Sequence, residues 1–111
     1  MGTTATRDRV RGTTVRFLFT DGPTKGKTYE HVFHDDGTVT YRDADETTAE
    51  QGAGERVNYG AFAITDDIQL VSYLSPSGFT LTLALNFQTD EIAGFASNDT
   101  QWLPVTGTLA R

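Results

Sequence analysis

The sequence predicts an all-β domain in which about eight short antiparallel strands close into an up-and-down barrel. Three observations predict it. Segments rich in Val, Ile, Phe, Tyr and Thr alternate apolar and polar side chains with the two-residue period of a half-buried strand. Gly, Asp, Asn and Pro cluster between those segments at turn spacing. No stretch keeps a helical period over a useful length. A closed barrel also removes both exposed sheet edges, and about eight strands is the size whose interior either fills with side chains or holds one small ligand.

Residues 12–20 put Val15, Phe17 and Phe19 on one face and Arg16 and Leu18 on the other. Asp21-Gly22-Pro23 turns the chain, and Lys25-Gly26-Lys27 keeps the connection exposed. In 28–34, Tyr29, His31 and Phe33 share a face, opposite Glu30, Val32 and His34. Asp36-Gly37 then signals a two-residue hairpin, because glycine accepts the positive φ that such turns need. Val39 and Tyr41 share a face of 38–42. Residues 43–55 are acidic and small, the longest loop candidate. Further strands are expected at 56–64, 68–74, 79–87, 91–97 and 103–110, separated by Thr65-Asp66-Asp67, Ser75-Pro76-Ser77-Gly78, Gln88-Thr89-Asp90 and Asn98-Asp99-Thr100. The inward parity of 56–64 stays open, since one bulge exchanges Tyr59 for Asn58 and Gly60.

A chain of 111 residues and 12.1 kDa is one domain by length, with 1–11 expected as a flexible tail and 12–111 as the barrel. Nine basic against 15 acidic residues leave a net charge of −6, which argues against binding a nucleic-acid backbone. The absence of cysteine excludes disulfides, thiolate metal sites and a cysteine nucleophile. No apolar run approaches the roughly 20 residues of a membrane span, and Met1–Arg9 lacks the apolar stretch of a secretory signal, so a cytoplasmic protein is expected.

Gly-rich phosphate loops, a Gly-x-Ser-x-Gly elbow and a His-Glu-x-x-His motif are all missing, and no cofactor is expected. His31 and His34 stand three apart on a strand, so they face opposite ways and cannot chelate one ion by themselves. His34-Asp35-Asp36 reads as a solvated turn, and Asn98-Asp99-Thr100 as a chance sequon. Phe17, Phe19, Tyr29, His31, Phe33, Val39 and Tyr41 point one way if the early strands pair as their turns suggest. His31 among these aromatics is the candidate acid/base, with Tyr29 and Tyr41 as hydroxyl partners. Tyr73 and Ser75 share a face later in the chain, as do Arg56 and Asn58, and Arg56 is a candidate anchor for a ligand carboxylate. Trp102 is expected as a barrel-end plug or a subunit contact.

The stretch Lys27-Thr28-Tyr29-Glu30-His31-Val32-Phe33, followed by Asp36-Gly37-Thr38-Val39-Thr40-Tyr41-Arg42, resembles the small calycin-type (lipocalin-like) barrels of the MoaF-like group and the related phenolic acid decarboxylases. Val71-Ser72-Tyr73-Leu74-Ser75-Pro76-Ser77-Gly78, with Ile92-Ala93-Gly94-Phe95 after it, continues the resemblance in the same order over roughly residues 12–97. The resemblance implies a barrel with a central pocket, commonly as a homodimer. In the decarboxylases it implies two tyrosines on the first strand, an arginine after the third and a glutamate before the Pro-x-Gly turn. Here those positions hold Phe17 and Phe19, loosely Arg56, and Ser75. The resemblance therefore carries the family's ligand place without its decarboxylation chemistry.

The favoured expectation is a barrel that binds a small apolar or aromatic molecule against Phe17, Phe19, Tyr29, His31, Phe33, Val39, Tyr41, Tyr59, Tyr73, Ser75 and Arg56. Two others stand beside it. One is a cofactor-free lyase or isomerase acting through His31, Tyr41 and Tyr29. The other is a barrel plugged by Phe33, Phe62, Phe79 and Phe95 that works as a dimeric accessory protein.

Overall fold

The computed structural model describes residues 9–22, 25–44, 56–76 and 78–110. Eight strands follow in order: β1 (Thr14–Asp21), β2 (Thr28–Phe33), β3 (Thr38–Asp43), β4 (Arg56–Ala63), β5 (Ile68–Leu74), β6 (Thr80–Asn86), β7 (Glu91–Ser97) and β8 (Trp102–Ala110). Each pairs antiparallel with its neighbours, and β1 pairs with β8 through Phe17 opposite Leu109, which closes the barrel. The expected fold class is therefore the observed one, with no helix among the described residues. The expected 43–55 loop lies outside the described residues beyond Ala44, as do Pro23 and Ser77.

Register converts alternation into an inside and an outside. Val15, Phe17 and Phe19 of β1 are buried, while Arg16, Leu18 and Thr20 are exposed. Outside, Arg16 and Arg42 flank Glu30 across three strands at 3.5 and 3.0 Å. Such half-exposed pairs contribute little stability but keep this side of the wall wet. On β4 the open parity resolves: Tyr59 is half-buried against Phe33, while Asn58, Gly60 and Phe62 face out.

The β2–β3 connection corrects the expected two-residue hairpin. His34 N donates to Thr38 O at 2.8 Å and Gly37 N to His34 O at 3.3 Å, so Asp35-Asp36-Gly37 forms a three-residue loop. Gly37, at φ 87°, supplies the left-handed residue that closes it. Inside the wall, Gly94 of β7 lies so close to β6 that a Cβ there would come within 1.9 Å of Thr82 O. Only glycine permits this approach, through which the sheet coils on itself.

One end of the barrel is filled. Phe17, Phe33, Val39, Val71, Leu83, Leu85 and Ile92 are at most 2% exposed there. The chain ahead of β1 seals it: Val10 is fully buried, and Arg9 N donates to the equally buried Gln69 Oε1 at 2.8 Å. The Arg9 guanidinium lies 5.2 Å from the Phe87 ring centre. Residues 1–8 of the expected tail lie outside the described residues, but Arg9 and Val10 are part of the floor.

Candidate functional site

The other end is hollow. A cavity of about 290 Å³ opens between the C-terminal ends of β1, β3, β5 and β7 and the N-terminal ends of their partners. Phe19, Tyr29 and Tyr41 form one wall. Tyr73, Ser75, Phe79 and Leu81 form the opposite one, and Ala96 and Val105 complete the ring. Water occupies about 30 Å³ per molecule in the liquid, so the space holds roughly ten water-sized groups.

His31 lies at the boundary between hollow and filled halves. Its place follows from register, because Val15 of β1 and Tyr41 of β3 stand opposite it on the two sides. The imidazole is 1% exposed and stacked on Phe17, with ring centres 4.0 Å apart, while Tyr41 stacks at 5.5 Å. Across the lumen, Nε2 is 2.7 Å from the Tyr73 hydroxyl. Nδ1 is 3.4 Å from the Tyr29 carbonyl oxygen. A carbonyl can only accept, so Nδ1 carries the hydrogen and Nε2 accepts from Tyr73. At 3.4 Å the Nδ1 contact is long, but the other tautomer would set a bare lone pair against the carbonyl.

Burial pushes the His31 pKa from its ordinary 6.5 down to about 3, against the smaller opposing pull of the Tyr29 carbonyl. The ring is therefore neutral at physiological pH and has no imidazolium proton to donate. Burial likewise raises the Tyr73 phenol, so it stays protonated. Tyr29 is raised too, by its own desolvation and then by Asp43 at the rim. Tyr41 Oη and Ser75 Oγ are 3.0 Å apart and tie β3 to the end of β5.

Tyr29, His31, Tyr41, Tyr73, Ser75 and Phe19 thus come together around one space. Phe17, Phe33, Val39 and Tyr59 do not line it. Phe17, Phe33 and Val39 fill the closed half beneath, and Tyr59 packs on Phe33 at 5.0 Å beside the β2–β3 hairpin. Arg56 is also corrected. It faces outward, with Nη2 3.7 Å from Asp36 Oδ2 and over half its side chain exposed, so it cannot anchor a ligand in this cavity. Two of the expected plugs are displaced as well, because Phe62 and Phe95 are 58% and 47% exposed on the outer wall. Trp102 is not a barrel-end plug: it lies outside against Phe95, ring centres 5.8 Å apart. Leu81, Ala96 and Val105 were absent from the sequence-derived set, where Phe79 stood only as an expected plug. The signal was present, since each falls on the buried face of an alternating strand.

Among the described residues no group of three His, Asp or Glu side chains is placed to hold a metal ion. No helix there is long and apolar enough to cross a membrane.

The class defined by this geometry is a closed eight-stranded antiparallel barrel, consistent with a calycin-like fold, with an aromatic-lined cavity at one end. No protein-family model matches the chain, and no curated protein does. Among solved structures it is similar to a Burkholderia vietnamiensis protein described as a "putative beta-lactamase", with a TM-score of 0.72 and 18% identity over 94% of this chain and 96% of that one. At that identity the likeness establishes the shared fold.

Proposed function

We propose that this protein is a MoaF-like calycin barrel that binds one small, largely apolar aromatic molecule in its open half. The observation that carries the reading is the 290 Å³ cavity itself, ringed by aromatic and aliphatic side chains with, among the described residues, only His31, three tyrosines and Ser75 as polar groups. Concave, mostly apolar sites with a few convergent polar groups are the usual form of small-molecule pockets. Burial supplies most of the affinity, at about 25 cal/mol per Å² of apolar surface removed from water.

The neighbour's description does not carry over to this chain. Its sequence contains no Ser-x-x-Lys, and none of its described residues form a metal-ligating group. A lyase or isomerase reading asks His31 to cycle a proton near neutral pH, which its burial opposes.

Native mass spectrometry of protein purified from its own host tests the reading. A retained small molecule, lost on denaturation and absent from Ala96→Phe, is the expected result, because Ala96 is 3% exposed on the cavity wall and phenylalanine there fills the space. The reading fails if wild type carries nothing and binds no small aromatic compound in titration calorimetry.

A further inference from the structure

We propose that His31 fixes the hydrogen-bond polarity of the cavity, so that it selects uncharged aromatic molecules bearing an O–H or N–H donor directed at the Tyr73 oxygen. This deepens the binding reading above and rests on it.

A neutral imidazole has one N–H and one acceptor nitrogen. The Tyr29 carbonyl claims the N–H, so Nε2 must accept, and the only hydrogen of the Tyr73 hydroxyl is spent on it at 2.7 Å. Tyr73 lines the cavity. Its oxygen therefore meets a guest with lone pairs alone. A guest hydroxyl or amide N–H satisfies that oxygen, whereas an ether, ketone or carboxylate sets acceptor against acceptor. Reversing the order requires the other tautomer, which turns the Nδ1 lone pair on the Tyr29 carbonyl oxygen, while Phe17 and Tyr41 hold the ring between them.

Charge reinforces the selection. None of the described residues lining the cavity is a lysine or arginine, and Arg56 is turned away to Asp36. A carboxylate would lose its hydration there and gain no cation in return. Tyr41 and Ser75 keep an adjustable pair, since either oxygen can be the donor in their 3.0 Å contact. They adapt to a second polar group on the guest without setting its class. His31 is thus a positioning residue that acts through Tyr73.

Calorimetric titration with four probes of similar ring size tests this: 2-naphthol, naphthalene, 2-methoxynaphthalene and 2-naphthoate. In wild type, 2-naphthol should bind roughly tenfold or more tightly than naphthalene or its methyl ether, the usual scale for pairing against leaving a buried polar group unmatched, and 2-naphthoate should bind weakest. His31→Phe releases the Tyr73 hydrogen into the cavity, and the preference for naphthol over the ether should fall below about threefold. His31→Gln should restore it, with its amide donating to Tyr29 O and its carbonyl accepting from Tyr73. Should His31→Phe fail to fold, Tyr73→Phe supplies the same readout, since removing the oxygen erases the preference. A wild type that binds all three neutral probes within threefold, or a folded His31→Phe that keeps the tenfold preference, overturns the polarity assignment and leaves the binding reading standing. A wild type that binds none of the four overturns both.

Discussion

Lowering the pH should destabilise this barrel through one buried ring, by an amount the structure sets. His31 accepts a proton at about pH 3 when folded and at its ordinary 6.5 when unfolded. Between those values the unfolded chain takes up a proton that the folded chain refuses, so stability is complete above about pH 6.5 and declines as the pH falls. The loss levels off near pH 3. From pH 7.5 to 4.5 the unfolded state gains about two pK units of proton binding, or roughly 2–3 kcal/mol at 1.36 kcal/mol per unit. Urea titrations at the two pH values measure it, and with a slope of about 1–3 kcal/mol per molar the midpoint should move by roughly 1–3 M. Other groups titrate in the same range, so the decisive quantity is the difference from His31→Gln, which keeps both hydrogen bonds and cannot take up the proton. That variant should lose roughly 2–3 kcal/mol less than wild type over the interval. Equal losses in the two proteins would refute the assignment of a buried, neutral imidazole.

Tyr73→Phe strands the His31 Nε2 acceptor and should cost about 1–3 kcal/mol, whereas Tyr73→Phe combined with His31→Phe should cost less than the sum of the single changes, read from paired thermal melts. Gly94→Val drives a side chain into the β6 backbone and should cost more than about 4 kcal/mol or abolish folding, seen as loss of the cooperative melt. Arg56→Ala should change stability by less than about 0.5 kcal/mol, and calorimetry should show unchanged affinity for 2-naphthol, because the exposed pair with Asp36 touches nothing in the cavity.

Most of the fold was legible because period-two alternation is a local property. Phe17 and Phe19, Tyr29 and His31, and Val39 and Tyr41 each announce their shared face within a few residues, and the turns between them fix who pairs with whom. The seven strand-like runs after the first begin and end within one residue of the strands formed, and the first within two. What stayed hidden depends on depth along the barrel axis. Phe17, Phe19 and Phe33 share one face in sequence terms, yet only Phe19 lies at the open end, because strand tilt and stagger set height and alternation does not. Arg56 misled for a related reason: it begins β4 on the outward parity, opposite Thr40, and it pairs with Asp36 on the hairpin. Val10 and Gln69 were missed because a floor assembled from residues 59 positions apart leaves no local trace.

The contact between Nε2 and the Tyr73 hydroxyl joins the second strand to the fifth straight through the lumen. It is a tie-rod as well as a recognition element. Hydrogen bonds in a chain polarise one another, so a guest donating to the Tyr73 oxygen makes that phenol a stronger donor to the imidazole. Occupancy and cross-bracing then rise together, and a filled barrel should resist denaturation beyond the RT ln(1 + [L]/Kd) that mass action alone provides.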